Sequence, residues 1–328
     1  MRNGGWRFTA LGLLLLAWGL PALAGEVPVE MRLGHGFAAE EQLWLMKARP
    51  DLTPNQGKSY TLKFVPFRGN TDRFNAFIAG QIDGGTVAAF TAIFARAQGI
   101  SLKLVASLSK ESPKGFSSAL LTLEESGIRQ PADLRGKTIG IVDYKSSTDL
   151  YVRQALRGAG LDPDRDVKLV VIPFPAMGNA LRTRKIDAGV FPQPFYAAEL
   201  QKGGVRQLFR STDAIPFERD LMLVFFSERF LRQHPGPVRD FLSDLVRVTS
   251  HYLEQPREGR RALLQAKLVR TPEAIYLNLQ DYHREAHARI EVEPLNRLVE
   301  LIIANGWLER EKKFDAAEMV DLSYLPRS

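Results

Sequence analysis

Ser146, Ser147 and Thr148 are the side chains of this sequence best placed to do chemistry. They follow an apolar run from Thr138 to Val142 and open a pattern that reads as a helix from Thr148 to Arg157, stopped by Gly158 and Gly160. Hydroxyls at that point can cap the helix. The first N–H groups of a helix also lack internal acceptors and carry the positive end of its dipole, so they favour a bound anion. From sequence, capping alone and a share in an anion site are both open. Arg68 and Asn70 hold a second position of this kind, between a strand pattern from Tyr60 to Phe67 and a helix pattern from Asp72 to Ala79. A guanidinium there can grip a carboxylate or sulfonate with two parallel hydrogen bonds, or pair with Asp72.

Other motifs carry less. Gly34-His35-Gly36-Phe37-Ala38-Ala39 spells part of a dinucleotide fingerprint, and its plainer reading is a tight strand-to-helix turn near a ligand. Ser117, in Gly115-Phe116-Ser117-Ser118-Ala119, lacks the closing glycine of a nucleophile elbow. His283 and His287 stand four apart in a stretch read as helical, but His-Arg-Glu-Ala-His matches neither zincin order and reads as a solvated face. The expectation is therefore a binding protein and not an enzyme, with no catalytic residue, no metal site and no cofactor.

The elements that must position these residues alternate strand and helix. A strand near Met31–Leu33, the Tyr60 strand, a short strand within Gly80–Phe90 and a strand from Leu102 to Leu108 form one α/β unit. Strands from Ser118 to Leu123, Thr138 to Val142 and Val167 to Ile172, with a loop Pro173–Met177 before a helix from Gly178 to Thr183, and a strand-loop-helix passage over Lys185–Phe195 form another. Gln81-Ile82-Asp83 and Lys185-Ile186-Asp187 occupy matching places, so one design is used twice. Joints fall at Lys110–Gly115 and after Asp213. Leu221–Phe226 reads as a strand returning to the first unit. Helices follow from Glu228 to Gln233, Pro237 to Glu254, Gly259 to Leu268, Pro272 to Asp281 and Pro294 to Asn305. Two joints between two α/β lobes describe a hinged clamshell, with 25–112 and 213–328 in lobe 1 and 113–212 in lobe 2.

Composition agrees with export. Arg2 and Arg7, the apolar run Leu11–Leu20, Pro21 and Ala22-Leu23-Ala24 make a cleavable signal peptide over residues 1–24. Its removal takes the formal charge from +7 to 7 − 2 = +5, a mild excess that suits small anions and, lacking basic runs, argues against nucleic acid. The absence of cysteine excludes disulfides, thiolate chemistry and a lipid-bearing cysteine. A freely diffusing periplasmic monomer is expected.

Asp133-Leu134-Arg135-Gly136-Lys137-Thr138-Ile139-Gly140, the following Ser146-Ser147, the two Ile-Asp segments and Gly306-Trp307-Leu308 together resemble the nitrate, taurine and aliphatic-sulfonate binding proteins that feed ABC importers. The likeness runs over nearly all of residues 26–310. It departs at Arg49–Gly57, where the family has a shorter, glycine-bearing link. The resemblance implies an α/β type II periplasmic binding protein fold, two lobes with a hinge and a C-terminal helical region, and an ABC permease as partner. Carried over residue by residue, it nominates Gly36, Phe37, Arg68, Asn70, Thr86 and Val87 on one side of the cleft. On the other it nominates Ser146, Ser147 and Thr148, then Phe174 and Met177, then Pro192 and Gln193. Phe37, Phe67, Phe90, Phe174, Phe191 and Phe195 suggest a ligand with an apolar body beside its acidic head, or serve equally as core. A small sulfonate or carboxylate is the expected ligand. The alternatives are a sensor subunit docking on a membrane receptor, and an enzyme such as the thiamine-pyrimidine synthase of the same fold, whose cysteine-rich segment is missing here.

Overall fold

The computed structural model describes Met1 and residues 27–327, so the signal peptide expected at 1–24 lies outside the described residues apart from Met1. In chain order the first half runs β1 (Val29–His35), α1 (Glu41–Ala48), β2 (Tyr60–Pro66), α2 (Asn70–Ile78), β3 (Gly84–Ala88), α3 (Ala89–Ala97) and β4 (Lys103–Glu111). The chain then crosses to β5 (Ala119–Leu123), β6 (Thr138–Ile141), α4 (Ser147–Gly158), β7 (Lys168–Val171), α5 (Phe174–Arg182), β8 (Ala188–Phe191), α6 (Phe195–Lys202) and β9 (Val205–Arg210). It returns through the single turn α7 (Ser211–Ala214) to β10 (Arg219–Phe226). Five helices follow: α8 (Glu228–Gln233), α9 (Pro235–Glu254), α10 (Pro256–Gln265), α11 (Glu273–Tyr276) and α12 (Val292–Ala304).

Two sheets result, ordered β2-β1-β3-β10-β4 and β7-β6-β8-β5-β9. In each, four strands run in one direction and the fourth in the order, β10 or β5, runs antiparallel to both of its neighbours. The repeated Ile-Asp segments do the same work in both. Asp83 accepts the Arg32 N–H at 3.0 Å and its own N–H goes to Arg32 O at 2.8 Å. Asp187 does this with Thr138, at 2.8 Å and 2.8 Å. Each aspartate thereby clips the incoming loop to the central parallel strand. One core packs Tyr60, Phe226 and Phe241 between the first sheet and α9; another runs from Phe90 and Val299 across to Ile141 and Leu150, joining the two halves.

Several sequence expectations shift. The strand β9 was not anticipated; Val205, Gln207 and Phe209 alternate over a short, arginine-bearing segment that pairs with β5. Helix α5 begins at Phe174, not Gly178, because Pro175 sits in the first turn, where its missing N–H costs nothing. The helix expected from Pro272 to Asp281 stops after Tyr276. Buried Arg260 takes the carbonyls of Leu277 and Leu279, at 3.3 and 3.0 Å, that a longer helix would need. His283 and His287 are not helical either; the backbone of His283 forms an isolated bridge with Lys110. Among the described residues no His, Cys, Asp and Glu group is arranged to hold a metal, and no helix is long and apolar enough to cross a membrane.

Candidate functional site

Parallel strands of an open sheet deliver their loops to the carboxyl edge, where ligands of such folds collect. Here the carboxyl ends of β1, β2 and β3 face those of β6, β7 and β8 across a cavity. Gly36, Phe37, Arg68 and Asn70 line it from the first sheet, and Ser146, Ser147, Thr148, Phe174 and Pro192 from the second. Thr71 donates to the Asp143 carboxylate at 2.8 Å across the gap, so the two rims touch. Behind the cavity both crossings between the sheets meet at Glu111. Its carboxylate accepts from the Ser118 N–H at 3.0 Å, the Ser118 hydroxyl at 2.8 Å and the Ser211 hydroxyl at 2.5 Å. Tyr151, which also lines the cavity, donates to Glu111 at 3.5 Å. Burial raises the Tyr151 phenol, and the Glu111 charge adds to it.

The wall from the second sheet is neutral. Val142 N–H donates to Thr148 Oγ1 at 3.0 Å, Thr148 and Ser146 share a bond of 2.9 Å, and the Ser146 hydroxyl donates to Asp143 O at 2.7 Å. Ser146 also receives the Asp149 N–H at 3.4 Å and is the N-cap. Those two hydroxyls are committed to the loop. Ser147 makes none of its internal bonds and lies by the Tyr151 phenol. The N–H groups of Ser147 and Thr148 have no protein acceptor among the described residues. The sequence expectation for the three residues therefore divides, with Ser146 a cap and the Ser147 hydroxyl outside the loop's own bonds, beside Tyr151.

On the opposite side the wall is charged. Glu40, 1% exposed, accepts the Gly36 N–H at 3.0 Å on each oxygen and the Thr86 hydroxyl at 2.9 Å. Arg73, 4% exposed, gives Nη1 to Thr86 Oγ1 at 2.8 Å and to Thr86 O, and stands 4.0 Å from Glu40. Burial pushes the Glu40 carboxyl up against the opposing pull of Arg73, and burial lowers the Arg73 guanidinium against the pull of Glu40. His35, one residue before Gly36, is pushed down to about 4, first by burial and then by the charges of Arg73 and Lys47. A Cβ on Gly36 would come within 2.9 Å of Arg73 Nη2, and one on Gly34 within 3.0 Å of Arg73 Cγ. The Gly-x-Gly pair thus makes room for an arginine.

Four nominated residues stand off the cavity. Thr86 is fully buried one layer behind, holding Arg73 and Glu40. Val87 alternates to the other face of β3 and is core. Met177 turns under α5, its sulfur filling the space over Gly140 and Gly189. Gln193 donates from its amide to Gln280 O at 3.1 Å and from its backbone to the Tyr282 hydroxyl at 3.2 Å, tying the second sheet to the C-terminal segment. Of the phenylalanines, Phe37, Phe67 and Phe174 line the cavity, Phe195 stacks behind Phe174 at 6.0 Å, and Phe90 and Phe191 are core. Arg68 is exposed and makes no ion pair with Asp72. Arg73 and Glu40 were not nominated. The legible signal was a charge on an apolar helix face, Arg73 beside Ala76 and Phe77 at the three- and four-residue spacing.

Residues 61–259 match the model of the family described as NMT1/THI5 like. The chain belongs to the NMT1/THI5-like family. Among its relatives is the putative aliphatic sulfonates-binding protein of Escherichia coli K12, 34% identical over 204 residues; the match spans 62% of this chain and 62% of that protein, less than two thirds of its length. The 4-amino-5-hydroxymethyl-2-methylpyrimidine phosphate synthase of Legionella pneumophila is 27% identical over 197 residues, covering 59% of this chain and 60% of the synthase. The solved alkanesulfonate-binding protein SsuA of Xanthomonas axonopodis pv. citri, bound to MOPS, superposes with a TM-score of 0.74 at 21% identity, covering 90% of this chain and 99% of that one. This NMT1/THI5-like chain has the type II periplasmic binding protein fold.

Proposed function

We propose that the chain is an extracytoplasmic solute-binding protein that holds a small organic anion, a sulfonate or carboxylate, between two lobes and hands it to an ABC importer. Lobe 1 comprises 25–112 and 213–328, lobe 2 comprises 113–212, and the hinge is the pair of crossings gathered by Glu111. The protein works as a periplasmic monomer after loss of residues 1–24. One observation carries the reading. A cavity lies between the strand ends of both sheets, with N–H donors at Ser147 and Thr148 that lack protein acceptors on one side and arginine on the other. Such donors complement an oxyanion, and the apolar lining at Phe37, Phe67 and Phe174 suits a short apolar body. The Escherichia relative named for aliphatic sulfonates, and the Xanthomonas protein holding a sulfonate buffer, support the same class.

Binding without turnover is the reading preferred over that of the Legionella synthase. Ser118, the hydroxyl facing the cavity from the hinge, donates its proton to a carboxylate that three other groups also occupy. Calorimetry of the mature protein against ethanesulfonate, methanesulfonate, acetate and butyrate tests this. Saturable binding with the compound recovered unchanged is the expected result; affinity only for cations or neutral sugars would overturn it.

A further inference from the structure

The two halves are copies of one plan, and one position breaks the copy. Gly34 pairs with Gly85 in the first sheet as Gly140 pairs with Gly189 in the second. The fourth residue of the second helix after that glycine lies over it in each half. In α5 it is Met177, whose sulfur is 2.5 Å from the place of a Gly140 Cβ; in α2 it is Arg73, whose Cγ is 3.0 Å from that of Gly34. Ile82 and Ile186 complete the same contact, at 2.7 and 2.8 Å. An apolar side chain therefore satisfies this site. The guanidinium of Arg73 is surplus to packing and carries the desolvation cost of a buried charge.

Its surroundings hold it in one orientation without using it up. Thr86 takes both bonds from Nη1, and Glu40 lies on that side. Nε is buried with no hydrogen-bond partner, and Nη2, which faces the backbone of Gly36 at the cavity wall, has no acceptor among the described residues. The Nε–Nη2 edge is the one a guanidinium uses to hold two oxygens of a planar or tetrahedral anion. We propose that Arg73, and not the exposed Arg68, is the principal receptor for the oxyanion head of the ligand, with Glu40 and Thr86 as its positioning residues and Gly34 and Gly36 as the space that admits it.

This inference rests on the anion-binding reading, and the test separates the two. Ethanesulfonate and acetate are titrated into wild type, Arg68→Gln, Arg73→Lys and the double variant Arg73→Met with Glu40→Gln. The double variant copies the apolar counterpart and leaves no orphaned carboxylate. It is expected to unfold cooperatively near the wild-type temperature and to bind about 100-fold more weakly, while Arg68→Gln loses less than about tenfold. Arg73→Lys keeps the charge but loses the fork, and is expected to fall by about tenfold or more. A folded double variant binding within about threefold of wild type overturns the role of Arg73 and leaves the binding reading intact. Should the double variant fail to fold, Arg73→Lys decides, and unchanged affinity there overturns the assignment. Wild type binding none of the anions overturns both.

Discussion

The two walls of the cavity begin from the same local plan and end with different chemistry. Six residues after the paired glycine each wall has a helix N-cap, Glu40 after Gly34 and Ser146 after Gly140. Two residues after the glycine each has a backbone N–H turned back into the loop, from Gly36 to Glu40 in one and from Val142 to Thr148 in the other. The second wall meets these needs with neutral hydroxyls and keeps its helix N-terminus free. The first meets them with a carboxylate, which can sit there only because Arg73 offsets its charge. A neutral wall presents donors at small desolvation cost; a charged wall adds a fixed guanidinium. An anion bound between them receives dipoles from one side and charge from the other.

Removing the carboxylate should break the comparison most. Glu40→Ala leaves Arg73 buried without its counter-ion and Gly36 without an acceptor, and a loss of about 3–5 kcal/mol is expected in urea unfolding. A loss below about 1 kcal/mol would mean that water reaches the pair and that the wall holds no desolvated ion pair. Next in size is Met177→Ala. Its sulfur fills a closed space over two glycines, so about 2–4 kcal/mol of stability should go, with Kd for the bound anion unchanged within about twofold. A variant of full stability and weakened binding would return Met177 to the ligand-contacting role that its place in the sequence suggests.

How much of this was legible differs between the walls in the same way. The repeated strand-loop-helix units, the Ile-Asp segments and the serine run announce themselves by periodicity and turn chemistry, and the structure has both sheets where those patterns fall. The serines were legible because a cap is local. Arg73, Glu40 and Thr86 were not read as a group because they are joined only through the fold, over separations of 46 and 13 residues. Thr86 shares its face of β3 with the cavity-lining Ala88, but it sits two residues deeper in the strand, where Arg73 and Glu40 take its hydroxyl. Gly34 and Gly36 were read for backbone freedom and in fact serve a side chain. Helix α11 was over-extended because the acceptor that ends it, Arg260, lies on another helix.

The third way to test the contrast is pH. His35 lies one step beyond Gly34, where the second wall has Ile141, and its folded value of about 4 lies below the ordinary 6.5 because burial disfavours the cation. A depressed histidine contributes stability that is complete above the unfolded value and is lost as pH falls through the folded one. The wild type should therefore lose stability from about pH 6.5 toward pH 4, and His35→Ile, which copies the second wall, should lose less over that window. Glu40, raised by burial, acts with the opposite sign in both proteins and cancels in the difference. Parallel stability curves for the two proteins would show that His35 is hydrated.

The smallest effects distinguish donors within the neutral wall itself. Ser146 accepts the Asp149 N–H and passes its own proton to Asp143 O, so Ser146→Ala should cost about 1 kcal/mol of stability through the lost cap. Ser147 has no duty in the loop, so Ser147→Ala should leave the unfolding midpoint nearly unchanged and weaken anion binding by about three- to tenfold, the worth of one hydrogen bond to a charged partner. The pair of measurements, unfolding and affinity, must split between two adjacent serines. If both variants lose stability and neither loses affinity, the N-terminus of α4 is a cap and nothing more, and the charged wall holds the anion alone.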